Sequence, residues 1–69
     1  MFVNNGTSST ENDFEEGIVI GVVREGKEWV VRIHGVYWRA RSYGTANFLP
    51  GEHIKVVGRK GIKLLIVPE

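Results

Sequence analysis

Residues 30–42 of this chain, with the sequence VVRIHGVYWRARS, combine three arginines with Tyr37 and Trp38. Arginine side chains can bind phosphates or carboxylates through paired hydrogen bonds, and aromatic rings can stack on bases or anchor a protein contact. The same residue types also line the solvated side of ordinary β-hairpins. The chemistry of this stretch therefore depends on which of its side chains the surrounding strands turn outward.

Other chemistries find little support in the sequence. His34 and His53 are the only histidines and cysteine is absent, so the three or four ligands of a zinc site cannot be assembled from these residue types. Ser42 and His34 have no nucleophile elbow and no third triad member beside them. Gly17 and Gly21 lie inside a strand-like segment and open no helix, unlike a phosphate-binding loop. We therefore expect no catalytic activity, no metal and no cofactor.

The composition is that of one soluble globular domain. The chain has 69 residues, of which 42% are hydrophobic and 25% charged, with a formal net charge of +1. No apolar run approaches the roughly 20 residues that a bilayer span needs. Residues 1–13 are mostly polar, and we expect a flexible leader or linker there, followed by a folded domain over residues 14–69. The folded part holds nine lysines and arginines against six acidic residues, which is less basic than phosphate-dominated binding requires.

From Gly17 onward the apolar residues alternate, which predicts five short strands separated by glycine-containing turns. The residues expected to share the inner face are Ile18, Ile20 and Val22, then Trp29, Val31 and Ile33, then Val36, Trp38 and Ala40, then Ile54 and Val56, and finally Leu64 and Ile66. Residues 43–48 are the only candidate for a helical turn. A small core favours a closed sheet without free edges.

The sequences of the second and third strands predict the register in which these strands pair. A two-residue turn at His34-Gly35, with glycine in the left-handed region, keeps every apolar residue opposite another apolar residue. The expected pairs are Ile33 with Val36, Arg32 with Tyr37, Val31 with Trp38, Val30 with Arg39, Trp29 with Ala40, and Glu28 with Arg41. Both tryptophans then point into the core, where packing is the usual role of an aromatic side chain.

The other turns complete the expected topology. The last hairpin fits a three-residue loop at residues 59–61 with Gly61 left-handed, which sets Val56 against Leu64 and Ile54 against Ile66. The first connection fits a tip at residues 25–26 or 26–27, and Pro50-Gly51 indicates a tight turn before the fourth strand. A three-stranded meander, a longer connection and a hairpin indicate an all-β, five-stranded OB-type barrel, with an SH3-like barrel as the competitor.

Three segments resemble a known family. GVYWRARS has the form Gly-x-x-Trp-x-Ala-x-Ser, PGEHIKVV contains Gly-x-x-Ile-x-Val, and GIKLLIVP is a glycine followed by a leucine-rich strand ending in Val-Pro. In this order and spacing they resemble the C-terminal soluble domain of NfeD-like proteins, over residues 17–68. The resemblance implies an OB-fold domain of a membrane-anchored protein, with a stomatin- or flotillin-like membrane scaffold protein as its partner. Contact with the membrane is expected only through other segments of the parent protein.

The expected outer face of the first three strands carries the candidate site. It comprises Val19, Val23, Val30, Arg32, Tyr37, Arg39 and Arg41. The face can be a solvated basic surface, a protein-binding patch of valines rimmed by arginine, or the surface on which OB folds bind single-stranded nucleic acid. We predict a non-catalytic interaction domain whose partner contacts Val30, Arg32, Tyr37 and Arg39, none of which the fold itself should require. A single-stranded nucleic-acid-binding module is the alternative, and it should bind with a steep salt dependence.

Overall fold

The computed structural model describes residues 15–69, which form five strands and no helix. The strands are β1 (Glu15–Arg24), β2 (Glu28–Ile33), β3 (Val36–Ser42), β4 (His53–Lys60) and β5 (Lys63–Pro68). Residues 43–45 are bends, so the helical turn considered for residues 43–48 does not form. The predicted leader and the first residue of the predicted domain, Phe14, lie outside the described residues. Since these described residues contain no helix, they include none long and apolar enough to cross a membrane.

The five strands close into a barrel in the order β1-β2-β3-β5-β4, with β4 pairing back onto β1. All neighbouring strands are antiparallel except β3 and β5, which are parallel. This arrangement confirms the predicted OB-type barrel. Closure matters for so small a domain because each strand gains a hydrogen-bonded neighbour on both sides over part of its length.

The β2–β3 hairpin has the predicted register over five residue pairs, from Ile33 with Val36 to Trp29 with Ala40. His34 has φ 51° and Gly35 has φ 80°, so both central residues of the turn are left-handed, as a type I′ turn requires. The sixth expected pair, Glu28 with Arg41, is wrong. The ladder ends before it, and the Glu28 carboxylate bonds instead to Arg39 and Lys63.

The predicted inner and outer faces of β1 are wrong. Val19 is 1% exposed and belongs to the core, whereas Ile20 and Val22, expected inside, are each 41% exposed. Val19 lies opposite the buried Val31 and Ile18 opposite the exposed Arg32, so the alternation is already one residue away from the predicted one there. Farther along, β1 twice advances two residues where β2 advances one, and these bulges leave Ile20 and then Val23 unpaired. A bulge reverses the alternation of faces and increases strand twist, which helps β1 to pair with both β2 and β4.

The β4–β5 hairpin turns at Gly61 and Ile62, not at residues 59–61 as expected. Lys60 pairs with Lys63, and Gly61 has φ 63°, so the predicted left-handed glycine is present in a two-residue turn. The pairs are Val56 with Ile66 and Ile54 with Pro68, two residues away from the predicted register. The apolar residues expected inside on both strands still face inward, because a shift of two residues preserves the alternation of side chains. The bulge in this hairpin lies at Val57, inside β4.

The two remaining turns agree with the sequence. In the first, the Lys27 N–H donates to the Arg24 carbonyl at 2.9 Å, which places Glu25 and Gly26 at the tip. In the second, the Glu52 N–H donates to the Leu49 carbonyl around Pro50-Gly51. This second turn also docks on β1: the Gly51 N–H donates to the Val19 carbonyl at 2.7 Å, and the Val19 N–H donates to the Glu52 carbonyl at 2.9 Å. The turn therefore continues the pairing of β1 just before β4 begins.

The core fills the inside of this barrel. Its buried residues are Val19, Trp29, Val31, Ile33, Ala40, Phe48, Ile54, Leu64 and Ile66. Trp29 is inside as predicted, whereas Trp38 is only half-buried and packs against the edge of the core. Val36, also expected inside, is exposed beside the hairpin turn. Phe48 reaches the core from the connection between β3 and β4. Its burial was not predicted, because it belongs to no alternating pattern in the sequence.

Candidate functional site

The four predicted contact residues lie together on the outer face of the β2–β3 hairpin, hereafter the β2–β3 face. The ladder places Arg32 directly opposite Tyr37 and Val30 directly opposite Arg39. Tyr37 is 63% exposed, Arg32 and Arg39 are exposed, and Val30 is half-buried. The hairpin holds these residues firmly because the alternate side chains of β2, Val31 and Ile33, are buried underneath.

Arg39 also contacts a buried carboxylate, which the sequence did not indicate. Its Nη1 donates a 2.8 Å hydrogen bond to Oε2 of Glu28, and Lys63 Nζ donates a 3.1 Å bond to Oε1 of the same carboxylate. Glu28 is 6% exposed and is the only buried charged residue among those described. A buried carboxylate needs such partners because removing one leaves a charge uncompensated away from water. The expectation that the fold does not depend on the identity of Arg39 is therefore wrong.

These contacts also set the protonation of Glu28. The hydrogen bond from Arg39, followed by that from Lys63, holds the pKa of the Glu28 carboxyl below its ordinary value, although burial works in the opposite direction. Glu28 therefore stays ionised through the neutral range and holds Arg39 and Lys63 in fixed positions. The outer faces of β2, β3 and β5 are thus linked by one carboxylate.

The outward valines divide into three different environments. Val19 is in the core, Val23 is exposed at a bulge, and Val30 is half-buried. The exposed apolar residues near the start of the barrel are instead Ile20 and Val22 on β1. Gly21 was a signal in the sequence for the bulge at Ile20, since a glycine inside a strand pattern often accompanies a bulge.

The residues considered for catalysis or metal binding stay apart. His34 lies at the turn before β3 and Ser42 at the far end of that strand, six strand positions beyond Val36, which is about 20 Å of chain. His34 Nε2 is 3.9 Å from Glu15 Oε1, and His53 Nδ1 is 3.8 Å from Glu69 Oε1, all on exposed side chains. Residues 15–69 contain no group of three or more potential metal ligands.

Comparison with known proteins agrees with this architecture. A family model described as the NfeD-like C-terminal, partner-binding domain matches residues 15–68. Among solved structures, the chain is similar to the C-terminal domain of stomatin operon partner protein 1510-C from Pyrococcus horikoshii. That match has 29% sequence identity and a TM-score of 0.71, and it covers 80% of this chain and 83% of the other. A search of curated proteins gave no match.

Proposed function

Since the chain belongs to the NfeD-like C-terminal, partner-binding domains, we propose that it binds a stomatin- or flotillin-like membrane scaffold protein on behalf of a membrane-anchored parent protein. The observation that carries the partner's identity is the similarity to a stomatin operon partner protein over most of both chains. The role is non-catalytic. In support, Glu28, the one buried charged group of the described residues, is engaged by two cations and is not free to move protons.

The β2–β3 face is the proposed contact surface. Tyrosine and arginine are enriched among the residues that dominate binding energy at protein interfaces, and here Tyr37 and Arg32 stand side by side on a rigid hairpin. A rigid surface loses little conformational entropy on binding, which favours this hairpin over the irregular connection at residues 43–52.

The test is titration of the labelled domain with a purified stomatin-like protein. The double substitution Arg32→Ser and Tyr37→Ser should weaken binding by about tenfold or more, which is typical of losing one interface anchor. The matched control is Tyr43→Ser with Arg59→Ser, because both residues are exposed and lie outside the β2–β3 face. This control should bind like the unchanged domain. Equal binding by both variants would contradict the proposed surface.

The alternative is a module that binds single-stranded nucleic acid on the same face. Arg32 beside Tyr37 provides a cation and a stacking ring, which is the chemistry that such modules use. A labelled oligonucleotide should then bind at low salt and dissociate steeply as the salt concentration rises. Tight oligonucleotide binding without binding of the stomatin-like protein would replace the proposed function.

A further inference from the structure

A groove of about 560 Å³ opens beside the β1–β2 turn, next to the β2–β3 face. It is lined by Val23, Arg24, Lys27, Glu28, Arg39, Arg41 and Lys63. Five of these seven residues are cationic and one is acidic, so this groove, hereafter the basic groove, carries a strong positive charge in a protein whose net charge is only +1. Concave surfaces with one sign of charge concentrate the field and attract ligands of opposite sign.

The positive charge of the basic groove is only partly neutralised from within. Glu28 has one carboxylate oxygen bonded to Arg39 and the other bonded to Lys63. Arg24, Lys27 and Arg41 make no ion pair with any carboxylate of residues 15–69. Three cations therefore border the groove without an ion-pair partner in the described part of the chain.

The fold keeps these cations in place. Arg24 and Lys27 lie at the two ends of the β1–β2 turn, which the bond from the Lys27 N–H to the Arg24 carbonyl closes. Arg41 shares a face of β3 with Arg39, since residues two apart on a strand point the same way. The Glu28 carboxylate fixes Arg39 and, through Lys63, the start of β5. The site is thus built from the β1–β2 turn and four strands, β1, β2, β3 and β5, that the barrel already holds in register.

We propose that the basic groove binds an acidic segment of a protein partner, with aspartate or glutamate carboxylates contacting Arg24, Lys27 and Arg41. This inference deepens the proposed function, on which it rests only in that the ligand is a protein. Carboxylates on alternate residues of an extended segment lie on one side, about 6.6–7 Å apart, and can meet several cations of a groove at once. Arginine–carboxylate contacts are strong because two parallel hydrogen bonds form.

A protein segment fits the groove better than a nucleic acid or a membrane. The lining has no aromatic side chain, whereas single strands are held by bases stacked on aromatic rings. The buried Glu28 carboxylate in the groove wall would repel a continuous phosphate backbone, while a peptide can place neutral residues next to it. A bilayer surface is broad and flat, so its headgroups would meet the rim more readily than the recess.

The experiment measures fluorescence anisotropy of a labelled peptide of alternating glutamate and serine, titrated with the domain at low salt. A peptide of alternating glutamine and serine should not bind. The double substitution Arg24→Gln and Arg41→Gln should weaken binding of the acidic peptide about tenfold, because it removes two charge-assisted contacts. Lys55→Gln with Arg59→Gln removes the same charge outside the groove and should change affinity less than about twofold. Thermal melting followed by circular dichroism should show both variants folded.

The outcomes separate the two proposals. Equal loss of peptide binding in both variants would show attraction to net charge only and would overturn the basic groove. Stronger binding of an oligonucleotide or of phosphatidylserine vesicles, lost in Arg24→Gln with Arg41→Gln, would replace the acidic segment by that ligand. If the stomatin-like protein fails to bind but the acidic peptide binds through the groove, the proposed function falls and the groove stands. If the stomatin-like protein binds but the acidic peptide does not bind through the groove, the proposed function stands and the proposal for the basic groove is overturned.

Discussion

The indole N–H of Trp29 donates a 2.9 Å hydrogen bond to the backbone carbonyl of Phe48, and the two rings pack edge to face with centroids 5.0 Å apart. Trp29 is 0% and Phe48 is 2% exposed. The two residues are 19 positions apart in the chain, so the contact fastens the connection between β3 and β4 across one end of the barrel. One indole thus fills the core and satisfies a buried backbone carbonyl.

Replacing Trp29 should be the most damaging aromatic substitution in the domain. Trp29→Ala should cost about 3–5 kcal/mol of unfolding free energy, close to the whole stability of so small a domain. Trp29→Phe keeps much of the packing but leaves the Phe48 carbonyl without a donor, at a cost of about 1–3 kcal/mol. Trp38→Ala, at a half-buried position, serves as the comparison. Urea unfolding should rank Trp29→Ala above Trp38→Ala, and the opposite order would show that Trp38 is the central indole.

Gly17 should tolerate no side chain at all. A Cβ built there would lie 2.5 Å from the backbone carbonyl oxygen of Arg32 and would collide with Cδ1 of Ile33. Because a carbonyl in the β1–β2 ladder cannot move away, Gly17→Ala should destabilise the barrel by about 2–3 kcal/mol or more. Gly21→Ala on the same strand meets nothing within 4 Å and should cost less than about 1 kcal/mol. Similar melting temperatures for the two variants would contradict the close approach of β1 and β2.

A substitution at His34 should stabilise the turn between β2 and β3. This residue has φ 51° and precedes Gly35 with φ 80°, and asparagine is the residue that type I′ turns favour at the first position. His34→Asn should therefore raise the unfolding free energy by about 0.5–1 kcal/mol, a usual gain for a corrected turn. Gly35→Val should have the opposite and larger effect, because a β-branched residue adopts positive φ poorly. Glu25→Val, at a turn position without positive φ, is the control for adding an exposed valine.

Glu28 should make the unfolding free energy of the domain decrease at acid pH. Since its pKa is lowered in the folded state, its contribution is fully present above the ordinary glutamate value of about 4.3 and is lost as pH falls through the lowered value. Glu28→Gln should thus be less stable than the unchanged domain near neutral pH, and the difference should shrink as the pH falls below the ordinary glutamate value and through the lowered one. Urea unfolding across this range measures the difference. Glu25→Gln, which makes no ion pair in the described residues, should show no such convergence.

The sequence by itself determined the parts that depend on neighbours in the chain. The alternation on either side of His34-Gly35 admits one register, because a slip of one residue would bury arginines, and that register is the one observed over five pairs. The same logic brought Val30, Arg32, Tyr37 and Arg39 onto one face. The three family segments then identified the barrel type that strand count alone left open.

Only the tertiary structure decided the features that depend on strands distant in the chain. The bulges at Ile20 and Val23 interrupt the alternation of β1, a strand that pairs with both β2 and β4, and the alternation of apolar residues along the chain does not express that demand. Glu28 pairs with Arg39 and Lys63 instead of Arg41 because β5 comes to lie beside β3 only when the barrel closes. The basic groove has the same origin. Its cations belong to the β1–β2 turn and to three strands, β1, β3 and β5, and only the assembled sheet brings them around one recess.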